Sequence, residues 1–140
     1  MPKIKIVVPG LAAPKSISMS RYGAYNNKRV RSWMSQVKDI TGLQIAQTGD
    51  KIPPKVPVSV MIDVWLPWAK RTAKKVIAAD PYALHTIKPD ADNLLKPILD
   101  GITQAGLWDD DDQIATMFIE KKWCPRGEER IEVVISWKTD

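Results

Sequence analysis

The sequence predicts a single α+β domain over residues 1–140, with one mixed sheet of about four strands and two main helices in the order β-α-β-α-β-β. Two kinds of apolar spacing predict it. Segments near both ends and one in the middle alternate or concentrate β-formers between turn residues, and two others repeat apolar residues at three- and four-residue steps. The length adds a third indication, because 140 residues suit one core that buries roughly two thirds of the unfolded surface.

Lys3 to Val8 alternates lysine and isoleucine before Val7-Val8 and reads as the first strand, closed by Pro9-Gly10. Leu11 to Tyr25, with Pro14 and several serines, reads as a loop. Asn26 or Asn27 can cap a helix that buries Val30, Trp33, Met34, Val37 and Ile40 along one stripe. Gly42, Gly49 and Pro53-Pro54 mark its exit. Val56 to Leu66 is rich in Val, Ile and Trp and is a strand. The stretch from Trp68 to Lys88 has no clear period and is expected to be a loop with one helical turn. A second helix is expected from Asp92 or Asn93 to Ala105, with Gly106 as a left-handed cap. Pro97 is tolerable only in the first turn, which places the start at or just after Asn93. Gln113 to Trp123 alternates as a strand, Pro125 to Glu128 is a turn, and Arg130 to Trp137 is expected to return as a hairpin. Trp33 and Trp65 are expected in the core, whereas Trp68 suits either a core or a surface position.

Composition narrows the function. Hydrophobic content of 44% and charged content of 26% are those of an ordinary soluble protein. No run of about 18 apolar residues is available to span a membrane. The opening Met1-Pro2-Lys3-Ile4-Lys5 reads as a strand and not as a signal sequence. Cys124 is the only cysteine, so no internal disulfide can form, and a cytoplasmic setting is expected. His85 is the only histidine, so any Ser/His or Cys/His triad would have to be built on it. A pI near 9.4 favours nucleic acid or another anion as partner.

The charge is unevenly spread. Pro89 to Asp112 holds seven aspartates and one lysine, a formal −6, whereas the remaining 20 basic and 9 acidic residues give +11. A concentrated anionic spot in a cationic body suits a protein that attracts a polyanion and holds a divalent cation against it. Asp90 and Asp92, two apart in extended chain before a helix, can face one ion. Asp111 lies beyond the helix. About 12 helical residues span roughly 18 Å, so the chain must double back if the three carboxylates are to meet. Oxygen ligands without His or Cys select Mg²⁺ or Mn²⁺ over Zn²⁺. Lys96, four residues after Asp92 and four before Asp100, is either one member of a surface salt-bridge ladder or an ammonium placed beside phosphate. The run 109–112 could be a solvated turn. An EF-hand is rejected, because Ile114 stands where that loop needs glycine and a strand follows where a helix should.

Taken together, Lys88-Pro-Asp90-Ala-Asp92-Asn93-Leu-Leu-Lys96, Asp100-Gly-Ile and Gly106-Leu-Trp108-Asp-Asp-Asp111-Asp-Gln113 resemble the RusA family of Holliday-junction resolvases. The ordered match runs from about Lys88 to Lys122. The resemblance implies that Asp90, Asp92 and Asp111 bind Mg²⁺ (with Mn²⁺ as a substitute) and that Lys96 is required for cleavage. Asp111 is chosen because the family's aspartate stands two before the glutamine, here Gln113, with Asp110 as the alternative. The resemblance also implies a homodimer that nicks opposite strands of a four-way DNA junction symmetrically, in recombination and repair. Pro97 departs from the pattern, since it falls where a helix former is expected. Arg21, Lys28, Arg29, Lys70, Arg71, Lys74 and Lys75 are the expected contacts to the DNA backbone. Two rivals are a non-catalytic DNA-binding protein and another metal-dependent phosphoryl-transfer nuclease.

Overall fold

β1 (Lys3–Pro9) alternates as expected, burying Ile4, Ile6 and Val8 between exposed neighbours. In the computed structural model, residues 1–15, 17–20 and 23–138 are described, with 17–20 and 23–26 given by backbone alone. The expected loop from Leu11 to Tyr25 contains an antiparallel pair, β2 (Ile17–Ser20) and β3 (Gly23–Asn26). Four-residue strands joined through backbone groups that every residue carries leave no apolar alternation to read.

α1 (Lys28–Thr48) starts where Asn27 accepts the Val30 N–H at 2.9 Å and ends at Gly49, whose φ of 74° only glycine adopts without strain. It passes straight through Gly42. Val30, Trp33 and Val37 are buried along the expected stripe. β4 (Val58–Pro67) follows, then the short α2 (Lys74–Ala79) and α3 (Ala91–Ala105), which ends at left-handed Gly106. A single 3-10 turn over Asp111–Gln113 leads into β5 (Ile114–Cys124), and β6 (Arg130–Trp137) completes the chain.

Two expectations are corrected. α3 begins at Ala91, so Pro97 lies in its second turn and not its first. Proline at that place leaves the Asn93 carbonyl without its helical donor. The backbone N–H of Lys15 supplies one instead, at 2.6 Å. The second correction concerns the last two strands. The four-stranded sheet has the order β1-β6-β4-β5, so β4 separates β5 from β6 and they form no hairpin. β4 pairs antiparallel with β6 and parallel with β5, and the connection from β4 to β5 carries α3.

The core lies between one face of this sheet and the pair α1 and α3. From the sheet come Val60, Ile62, Val64, Ile131, Val133 and Ile135, and from α3 come Leu94, Ile98 and Ile102, all fully buried. Each such side chain contributes about 1.5–3 kcal/mol of transfer free energy. α1 and α3 approach closely at Gly101, where an added Cβ would stand 2.8 Å from Val37 Cγ1 and 3.0 Å from the Met34 carbonyl oxygen. The opposite sheet face is left open. Trp65, expected in the core, lies half-buried on that face, with the Arg130 guanidinium 4.0 Å and the Lys122 ammonium 4.7 Å from its ring centre. No helix among the described residues is long and apolar enough to cross a membrane.

Candidate active site

The site forms where the segment after α3 turns back along the helix. Gly106 allows the reversal, and Leu107 and Trp108 are then buried. Trp108 Nε1 donates to Thr103 Oγ1 at 2.7 Å, and the Ile52 N–H donates to the Leu107 carbonyl at 2.8 Å. The first bond holds the returning chain against the helix it has just left, and the second ties it to the segment between α1 and β4. Gln113 fixes the next stretch. Its buried side chain accepts from the N–H groups of Asp109 and Asp110 and donates to the carbonyls of Pro53 and Val56. All four hydrogen-bonding positions of one buried amide are thereby used, at a net gain of about 1 kcal/mol per bond.

The reversal brings Asp111 to Lys96. Lys96 Nζ lies 3.3 Å from Asp111 Oδ2 and 2.9 Å from Asp100 Oδ1, bridging the helix and the turn. The closure that spacing alone left open is therefore made between Asp111 and the second turn of α3. Asp92 sits one helical turn before Lys96, exposed. The hydrogen bond to Asp100, then the one to Asp111, raises the Lys96 pKa above its ordinary 10.5, so its charge is permanent at neutral pH.

The aspartate run divides its labour. Asp110 accepts the Asp112 N–H in a capping box completed by Gln113, and that hydrogen bond holds the Asp110 carboxyl below its usual range. Asp111 makes no cap bond and faces Lys96. Asp90 stands at the N-cap of α3, yet its carboxylate makes no cap hydrogen bond. Instead it takes the Lys88 ammonium at 2.9 and 3.0 Å.

Asp90, Asp92 and Asp111 are not gathered into one cluster: among the described residues, no three His, Cys, Asp or Glu side chains stand close enough to hold a metal ion. Two ammonium groups occupy the carboxylates of Asp90 and Asp111 instead. Carboxylate oxygens are the donors a hard divalent ion takes, but the three aspartates as they stand here do not form a site for one.

Lys121 was not singled out from sequence. Its ammonium donates to the Ile87 and Pro89 carbonyls at 2.8 and 2.7 Å and so ties down the chain just before Asp90. A signal existed, since Lys121 and Lys122 are adjacent on a strand and must point to opposite faces. Lys122 pairs with Asp63 on the open face, 2.9 Å away, which leaves Lys121 facing the site. Of the expected DNA contacts, Lys28, Arg29, Lys70, Arg71, Lys74 and Lys75 are all exposed. Arg29 donates weakly to the Ala12 carbonyl at 3.4 Å and shares a groove with Lys88. Arg21 lies outside the described residues. His85 is buried, and burial pushes the Cys124 thiol up to about 11, which keeps that thiol protonated at neutral pH.

Compared with protein-family models, residues 11–136 match the family described as Endodeoxyribonuclease RusA. No match was found among curated proteins.

Proposed function

The chain belongs to the RusA endodeoxyribonuclease family, and from that premise we propose that it resolves four-way DNA junctions by paired, symmetric, Mg²⁺-dependent nicks in recombination and repair. Family membership makes it an endodeoxyribonuclease of the Holliday-junction-resolving kind, acting on branched DNA with a divalent metal. The rival of a non-catalytic DNA-binding protein is thereby set aside. Two nicks on opposite strands call for two sites, so the working form is a homodimer, acting in the cytoplasm.

One observation carries the residue assignment: the chain after α3 doubles back so that Asp111, and not Asp110, meets Lys96. Asp90, Asp92 and Asp111 are the residues that would hold the ion, once drawn closer together than they stand here, and it would supply Lewis acidity toward the scissile phosphate. Lys96, permanently charged, neutralises the negative charge that grows on the phosphate oxygens or the leaving group. It is a charge stabiliser and not a base. Asp100 holds the Lys96 side chain in place at 2.9 Å, and Lys121 holds the Asp90 segment through two carbonyls.

The test is cleavage of a synthetic four-way junction in Mg²⁺, with linear duplex as control. Asp111→Asn should abolish nicking, and Lys96→Met should slow it on the order of 10²-fold, the usual loss of one charge-stabilising donor. Asp110→Asn should still cut. Normal cutting by Asp111→Asn would move the third ligand elsewhere, and equal cutting of linear duplex would favour a different phosphoryl-transfer nuclease.

A further inference from the structure

A groove of about 490 Å³ opens beside the candidate active site, and no step of the proposed cleavage uses it. Its walls are Leu66, Pro67, Ile87, His85 and Trp123, and its rim carries Arg29 and Lys88. The lining continues into Pro89, the residue before Asp90. A phosphate at Asp90 would therefore have its neighbouring nucleotide at the mouth of the groove.

The back of the groove is a rigid pile of rings. Trp123 stacks on Trp68 with centres 4.5 Å apart and planes 10° from parallel, and His85 covers Trp123 at 4.0 Å. The Trp68 ring is pinned, since its Nε1 donates to the Pro81 carbonyl at 2.8 Å. The backbone N–H groups of Trp123 and His85 donate to the Ala83 and Lys121 carbonyls and fix the backbone that carries the other two rings. A stacking surface already fixed in place loses little side-chain freedom when a flat ring joins it. The wall also holds one unused polar group, since Nδ1 of His85 is buried without a hydrogen-bond partner.

We propose that this groove receives a single unstacked nucleobase from the junction strand whose phosphate lies at Asp90. This deepens the resolvase reading and rests on it. An apolar slot with an aromatic back suits the face of a base, and its volume is within the usual range for small-molecule sites. The two cations at the rim, Arg29 and Lys88, suit the phosphates on either side of that base. Taking a base out of its stack is least costly where pairing is already disturbed, as at a strand exchange. The groove thus contributes to the choice of branched over linear DNA.

The test measures binding, with Ca²⁺ in place of Mg²⁺ to offset the carboxylates without supporting cleavage, to four-way junctions that carry one abasic site, moved nucleotide by nucleotide across the cut region. Wild-type protein should lose about tenfold in affinity at one position, the size of one base stacked on an aromatic side chain. Two variants at exposed positions, Ala69→Leu, which fills the groove, and Ile87→Asp, which puts a charge into it, should bind the intact junction more weakly. Both should be indifferent to the abasic site at that same position. Wild-type binding that is equal at every abasic position, or variants that keep the wild-type sensitivity, would overturn the groove assignment while junction binding stands. Wild-type protein that binds the junction no better than linear duplex, and cuts neither in Mg²⁺, would overturn the resolvase reading and this inference with it.

Discussion

His85 is the one imidazole in the chain, and its surroundings favour the neutral form. Burial lowers its pKa from the ordinary 6.5, and the Lys121 ammonium lowers it further, against weaker opposing bonds from backbone. The unfolded chain therefore binds the proton more readily than the folded one, and acid favours unfolding. Stability should be full above pH 6.5 and decline as pH falls below that value through the folded pKa. Melting curves between pH 7.5 and pH 5 check this, and His85→Phe should flatten the decline over that window. Lys96 shows the opposite shift. Its raised pKa keeps the ammonium charged throughout the neutral range, so Lys96 stays available there to pair with Asp100 and Asp111. Loss of nicking near neutral pH would therefore have a source other than Lys96.

At the scale of elements, the contact of α1 with α3 depends on the absence of a side chain at position 101. Gly101→Ala would push a methyl group into Val37 Cγ1, 2.8 Å away, and toward the Met34 carbonyl. Overpacking of this kind costs about 1–3 kcal/mol, which outweighs the roughly 0.5–1 kcal/mol that alanine gains over glycine in a helix. Chemical denaturation should show the variant less stable, while Gly42→Ala, at a half-buried position with open space for the methyl group, should not lose stability.

Much at this scale was legible. The apolar stripes located α1 and α3, alternation located β1 and β5, and enrichment in Val, Ile and Trp located β4. The partners of β5 were not legible. A period of two identifies a strand without naming its neighbour. The five residues between β5 and β6 can reach about 16 Å, which exceeds two strand spacings of about 4.8 Å each, so a short connection did not require adjacency. Trp65 misled for a related reason, because a large aromatic on a central strand suits a core as well as an open face covered by Arg130. In the site, the family pattern is what points to the carboxylates and Lys96 that we propose act in cleavage. It could not reveal Lys121, whose role exists only through carbonyls of a loop some thirty residues away.

For the molecule as a whole, the cationic body sets affinity and the anionic window sets chemistry. The window's −6 repels DNA unless a bound cation offsets it, whereas the +11 elsewhere attracts it. Junction affinity should fall steeply with salt. Replacing Lys70, Arg71, Lys74 and Lys75 together by glutamine should make the log–log slope shallower by about 3 to 4 if all four meet phosphates, at roughly 0.9 per contact. An unchanged slope would mean that DNA runs elsewhere. Proline inside a helix is the first residue a protein engineer replaces, because restoring its missing N–H normally strengthens the helix. Here the carbonyl that such a repair would claim is already taken by Lys15. Pro97→Ala would set two donors competing for the Asn93 oxygen, so repairing the helix would cut the tie between its first turns, which carry Asp92 and Lys96, and the N-terminal third of the chain.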